Sequence, residues 1–206
     1  EKVQVAPWPF PPEHGDTPEF QYDPHVWTSP ANAAIQVHNI GAALTDKQPV
    51  LKPYVTEYEN RLTKLDDWAR QSLESVPKDS RVLFTSHDAF GYFSHHYDVT
   101  FIGAALSDFN EQQDATAEHI RAAADEVKKS GAKALFAENS NNSKSIEAIA
   151  QAAGVKAIVG DDALYGDSLG PEGSPGETYV GSIVHNVSTL VDAWGGTPAE
   201  LPADLH

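Results

Sequence analysis

The chain of 206 residues contains no cysteine, which excludes disulfides and thiolate metal sites together and leaves the redox compartment open. Any metal held here must be met by nitrogen and oxygen donors. Basic residues are scarce: Lys and Arg number 14 against 30 Asp and Glu, for a net charge of −16. A surface of that sign repels phosphate backbones and attracts cations, which argues against a nucleic-acid partner. Solubility alone accounts for many acidic surfaces, so charge by itself selects no ligand. No apolar run approaches the roughly 18 residues of a membrane span. The first residues, Glu1-Lys2-Val3-Gln4, carry neither an initiating Met nor a signal-peptide pattern, so a processed chain or a fragment is expected. What remains is ordinary globular composition, 40% hydrophobic, enough for one large or two small domains.

Residues 6 to 30 are rich in Pro, acidic and aromatic residues and read as a surface loop. Ser29-Pro30 is a good N-cap followed by a good first helical residue, so a helix is expected from Pro30 to about Leu44. From Pro53 to about Leu73, the residues Tyr54, Tyr58, Leu62, Leu65, Ala69 and Leu73 recur at intervals of three and four, which marks a long amphipathic helix. After Ser80 short apolar runs alternate with helical stretches. Strands are expected at Val82 to Phe84, Val99 to Ile102, Ala134 to Phe136 and Ala157 to Val159, with helices at Phe90 to His96, Ala117 to Lys129 and Ser145 to Ala153. That alternation implies an α/β fold, an open parallel sheet with helices on both faces. Ser174-Pro175-Gly176-Glu177 reads as a capping box opening the last helix, and the tail beyond Gly195-Gly196 reads as frayed.

In open α/β sheets ligands bind outside the carboxyl ends of the strands. Here those ends are polar: His87-Asp88 after the first strand, Glu138-Asn139 after the third, and Asp161, Asp162 and Asp167 after the fourth. An imidazole and several carboxylates on one rim suit a borderline or hard divalent cation. Each also has a plainer reading. A strand-end His often serves as a hydrogen-bonded structural group, the Asp residues suit turns, and His95 and His96 suit a helix end. His14, His38, His119, His185 and His206 have no partner at metal-ligand spacing in the sequence. Dinucleotide and phosphate-loop signatures are absent. His87 and Asp88 make a poor base–acid pair, because neighbours on an extended segment point to opposite sides.

Asp23-Pro24-His25-Val26-Trp27-Thr28-Ser29-Pro30 resembles the Asp-Pro-His-x-Trp signature of the zinc/manganese-type (cluster A-I) solute-binding proteins of ABC transporters. Three further segments are similar to that family's motifs and follow in its order. They are Thr85 to Phe93, Leu135 to Ser140, and Asp167 to Gly170 together with Gly173 to Tyr179. The resemblance spans about residues 22 to 195. It implies a receptor in which one Zn²⁺ or Mn²⁺ lies between two Rossmann-like lobes joined by a long rigid helix, and which hands the ion to a membrane permease.

Carried over residue by residue, the resemblance places His25, His87 and Asp167 on ligand positions and Glu138 behind them, where a carboxylate can orient an imidazole. It makes residues 1–50 the end of an N-terminal lobe and the inter-lobe loop, 51–77 the linking helix, and 78–206 the C-terminal metal-binding lobe. The rest of the N-terminal lobe, with a further His ligand, would lie outside this chain. The implied location is extracytoplasmic, in the periplasm or at the cell surface, with any lipid anchor in a part not present here. Some members of the family have been described as adhesins.

At the position of His87 the family carries His in some members and Glu in others. The imidazole suits Zn²⁺ and the carboxylate Mn²⁺, so His87→Glu is expected to shift the ratio toward manganese. No His-rich loop lies between Val5 and Tyr22, which keeps manganese open. The competing class is a metal-dependent hydrolase that activates water with the same strand-end groups.

Overall fold

The computed structural model describes residues 2–7, 21–105 and 116–206, so most of the Pro-rich stretch, His14 included, lies outside the described residues. Four short strands form one sheet: β1 (Val82–Thr85), β2 (Thr100–Ala104), β3 (Ala134–Phe136) and β4 (Lys156–Ile158), in the order β2-β1-β3-β4. All three pairings are parallel, as strand-helix alternation implied. Ahead of the sheet stand α1 (Pro30–Lys47) and α2 (Lys52–Glu74). Within it come α3 (Gly91–His96), α4 (Ala117–Ser130) and α5 (Lys144–Ala153), and α6 (Tyr179–Trp194) follows.

Strands covered on both faces read as continuous apolar runs, and Val82-Leu83-Phe84 and Ala134-Leu135-Phe136 are buried throughout. Their period of two divides them between two cores. Leu83, Ala134 and Phe136 pack with residues of α2, α3 and α6, among them Leu65, Phe93 and Trp194. Val82, Phe84 and Leu135 pack on the other face with Val127 of α4 and Ile146 and Ile149 of α5. Helices therefore cover both faces.

Four local expectations need correction. Tyr54, counted in the buried stripe of α2, is exposed, as are Ile40, Leu44 and Val50 at the same end of the α1–α2 hairpin. The stripe is buried from Leu62 to Leu73, where α2 meets α6 and the sheet, is partly covered at Tyr58, and is exposed at Tyr54. The last helix is capped by Thr178, whose side chain accepts a hydrogen bond from Gly181 N, and not by Ser174. The segment before it folds back on itself, with Gly170 N donating to Gly176 O, which leaves Ser174 in a turn. His96 does not cap α3: its Nε2 lies 2.7 Å from Asp66 Oδ1 on α2, which also accepts from Tyr97 OH. Burial pushes the Asp66 carboxyl up, but those two partners outweigh it and hold it below the usual range.

The tail is docked rather than frayed. Ala199 N donates to Ser72 Oγ, Trp68 Nε1 donates to Ala199 O, and Leu205 is buried against the core. Leu205→Ala is expected to lower unfolding stability by about 2 kcal/mol, the shallow end of buried Leu truncations. Urea denaturation checks this, and a change under about 0.5 kcal/mol would restore the frayed tail.

Candidate metal centre

The strand order sets the site. From β1 the sheet runs to β2 on one side and to β3 on the other, so the topological switch point, where open α/β sheets bind ligands, lies between β1 and β3. His87 follows β1 and Glu138 follows β3, and they meet across that crevice. Glu138 Oε2 is 2.8 Å from His87 Nδ1, while Oε1 accepts from His87 N at 2.9 Å. Glu138 is itself held by its N–H to Ser86 Oγ.

A second pair repeats the device. Asp23 Oδ1 accepts from His25 N at 2.9 Å and lies 2.7 Å from His25 Nδ1. In both pairs the carboxylate lies against Nδ1, the arrangement in which a carboxylate orients an imidazole and turns its Nε2 toward the crevice. Both carboxylates sit tight against glycine. A Cβ on Gly91 would come within 2.6 Å of Asp23 Oδ2, and one on Gly166 would collide with Glu138 Oε2.

The third group, Asp167, lies on the loop between β4 and α6, and that loop is fastened on three sides. Trp27 Nε1 donates to Gly166 O, Asn139 Nδ2 donates to Ser168 Oγ, and Asn186 of α6 exchanges two hydrogen bonds with the Tyr165 backbone. Asp167 Oδ2 lies 3.1 Å from His87 Nε2 and Oδ1 lies 3.7 Å from His25 Nε2. One donor atom from each of His25, His87 and Asp167 falls within 4.8 Å of the others. Tetrahedral ligands at about 2.0–2.1 Å from a zinc ion stand roughly 3.3 Å apart, so the spacing here needs only small closure.

The donor chemistry fits a cation. His87 is buried, and its Nε2 faces Asp167 Oδ2 at 3.1 Å. Burial disfavours the imidazolium, but Asp167 and Glu138 on either side outweigh that and raise the His87 pKa to about 11. Burial likewise pushes Asp167 up, and His87 more than reverses it.

The structure brings His25, His87 and Asp167 together and sets Glu138 against His87 Nδ1. Asp23 was passed over as a functional residue, although an acid two residues before the His in an Asp-Pro-His turn is the signal for it. Among the described residues the other histidines stay out of the centre. His38 pairs with Glu59 between α1 and α2, a neighbour the sequence spacing did not reveal, and His185 reaches Ala163 O. Asp161 and Asp162 lie in a short 3-10 turn. Gly166-Asp167-Ser168-Leu169-Gly170 has the spacing of a nucleophile elbow, but it is no strand-to-helix turn and its Ser168 Oγ accepts from Asn139 Nδ2.

Asp23→Asn keeps the shape but weakens the hold on His25. It is expected to reduce Zn²⁺ affinity about 10- to 100-fold, the usual effect of losing a carboxylate behind a ligand. Calorimetric titration checks it, and an unchanged affinity would make Asp23 a purely structural acid.

An open parallel sheet with converging donors at its switch point defines a ligand-binding α/β protein. Within that class the chain belongs to the ZnuA family, zinc-uptake complex component A periplasmic, whose model matches residues 2–193. It is 32% identical over 179 residues to the manganese-binding lipoprotein MntA of Bacillus subtilis (strain 168), covering 84% of this chain and 58% of that protein. It is 33% identical over 182 residues to the zinc-binding protein TroA of Treponema pallidum (strain Nichols), covering 85% and 58%. The solved structure of the periplasmic zinc binding protein TroA from Treponema pallidum matches with a TM-score of 0.74 at 30% identity, over 88% of this chain and 67% of that one. Fe(III)-bound YtgA from Chlamydia trachomatis shares the fold, with a TM-score of 0.76 at 21% identity, over 96% and 69%. The chain spans 58% of the length of the two curated relatives.

Proposed function

We propose that this chain is the C-terminal, metal-holding part of an extracytoplasmic solute-binding protein that captures Zn²⁺ or Mn²⁺ for the permease of an ABC importer. His25, His87 and Asp167 coordinate the ion, and Asp23 and Glu138 orient the two imidazoles. The observation that carries this reading is the trio of donor atoms within 4.8 Å of one another at the switch point, one of them the buried His87 Nε2. The names of the relatives, which describe manganese- and zinc-binding proteins, support the same cargo. No observation favours the hydrolase reading.

In this proposal residues 1–50 end an N-terminal lobe, 51–77 form the helix linking it to the rest, and 78–206 form the metal-binding lobe. The remainder of the first lobe supplies a fourth ligand, so three protein donors hold the ion here and bind it more weakly than a closed set of four. Zn²⁺ is held more tightly than Mn²⁺, as expected of almost any nitrogen-containing set. Calorimetry with each ion on the full 206-residue chain is the test. The expected result is one site, zinc tighter than manganese, lost when His25, His87 and Asp167 are all replaced by alanine. Saturable binding that survives the triple replacement would overturn the assignment.

A further inference from the structure

Residues 159–178, between β4 and α6, carry one short 3-10 turn, Gly160–Asp162, and no strand or longer helix. A connection of that length is usually mobile, yet this one sets the Asp167 carboxylate against two imidazoles. The stiffening lies just ahead of Asp167.

Residues 163–165 run alongside the chain that leaves β3, and Leu164 bridges Glu138 in parallel. Leu164 N donates to Ala137 O at 2.8 Å, and Leu164 O accepts from Asn139 N at 2.9 Å. Along an extended segment the backbone groups of successive residues point to opposite sides, so those of Tyr165 turn away from β3, as on the open side of an edge strand. Asn186 meets both of them. Its Oδ1 accepts from Tyr165 N and its Nδ2 donates to Tyr165 O, each at 2.8 Å, so a side-chain amide takes the part of a neighbouring strand's backbone. Beside it His185 Nε2 donates to Ala163 O at 3.0 Å.

Asn186 is 1% exposed and stands with Ile183, Val187 and Leu190 on the buried face of α6. An amide among those side chains is costly unless it is hydrogen-bonded, and the Tyr165 backbone supplies the bonds. The Tyr165 ring has no room to swing, since a Cβ on Gly176 would collide with it. Only Gly166 separates Tyr165 from Asp167, so the backbone that Asn186 grips sets where the carboxylate starts. The other two fastenings of the loop are less suited to that task. Asn139 is exposed, and Trp27 belongs to the segment ahead of α1 rather than to the sheet.

We propose that Asn186 is a positioning residue of the metal centre, which through Tyr165 holds the Asp167 carboxylate at the crevice before an ion arrives. The proposal rests on the reading of Asp167 as a ligand, and the variants that test it separate the two. Zinc calorimetry on the full 206-residue chain compares wild type, Asn186→Leu, Asp167→Asn and the double variant. Leucine keeps the branched shape of asparagine and can make neither bond. Asn186→Leu should weaken Zn²⁺ binding about 10- to 100-fold, the scale of losing a group that orients a ligand. In the Asp167→Asn background the same replacement should cost less than about two-fold, because the amide acts through that carboxylate. With Co²⁺ as the probe, the visible absorption of Asn186→Leu should move toward that of Asp167→Asn, while Leu205→Ala, destabilised through the docked tail, should keep the wild-type bands. An equal loss from Asn186→Leu in both backgrounds, or wild-type Co²⁺ bands in that variant, overturns the positioning role alone. Unchanged zinc affinity in Asp167→Asn overturns the ligand assignment and the positioning role with it. Hydrogen exchange on the metal-free wild type depends on no variant: the Tyr165 amide should exchange as slowly as that of Leu164, and protection that appears only after zinc is added would overturn the proposal.

Discussion

With His87 replaced by glutamine, the affinity of the chain for Zn²⁺ is expected to fall roughly 10²- to 10³-fold. A structural zinc site contributes about 10–16 kcal/mol through four ligands, or roughly 2.5–4 kcal/mol apiece, and each ~1.4 kcal/mol is a factor of ten. Glutamine is the informative substitute because its amide can still donate to Glu138, whereas alanine would leave a carboxylate of 1% exposure without its partner. Competition against a chromophoric chelator measures the change, with urea denaturation as the control for folding. A loss smaller than ten-fold would remove His87 from the donor set.

Glutamate at the same position is expected to destabilise the metal-free chain by about 3–5 kcal/mol, the scale of a broken buried ion pair. Both oxygens of Glu138 are engaged by His87, one by its N–H and one by its ring. A second carboxylate there would face the first in a crevice from which water is largely excluded. The expectation that His87→Glu alone moves the zinc-to-manganese ratio is thereby narrowed. The shift toward manganese should emerge in the double variant with Glu138→Gln, where the amide can donate to the new carboxylate. The expected order of urea midpoints is wild type near the double variant, with the single variant well below. A single variant as stable as wild type would show that Glu138 is not what holds position 87.

The parts of the fold legible in the sequence are those where local pattern and tertiary burial agree. Val82-Leu83-Phe84 and Ala134-Leu135-Phe136 are apolar because both faces are covered, and the Ser29-Pro30 helix start is a local device, with Ser29 Oγ accepting from Asn32 N. Errors arose where a distant contact decides. Nothing local says that Leu205 docks on the core, that Asp66 draws His96 away from a helix end, or that Tyr54 lies beyond the reach of the sheet. The site followed the same rule. His87, Glu138 and Asp167 were readable because strand ends in this topology face one crevice, and His25 came only through its motif. The role of Asp23 is a matter of hydrogen-bond geometry across two residues, which no periodicity signals.

The centre joins two parts of the chain that are far apart in sequence. His25 comes from the segment ahead of α1, while His87, Glu138 and Asp167 belong to the rim of the sheet. Without an ion the two parts are held by Trp27 Nε1 to Gly166 O, Tyr179 OH to Trp27 O and Tyr92 OH to Asp23 O. An ion gripped from both sides acts as a removable cross-link, closing a long loop whose entropic cost grows only slowly with length. At a hundred times its dissociation constant, a bound ion would add about 2.7 kcal/mol to the closed arrangement by mass action. Resistance of residues 23–28 to limited proteolysis is then expected to rise as metal is added, and the segment at the crevice to loosen when a chelator removes it.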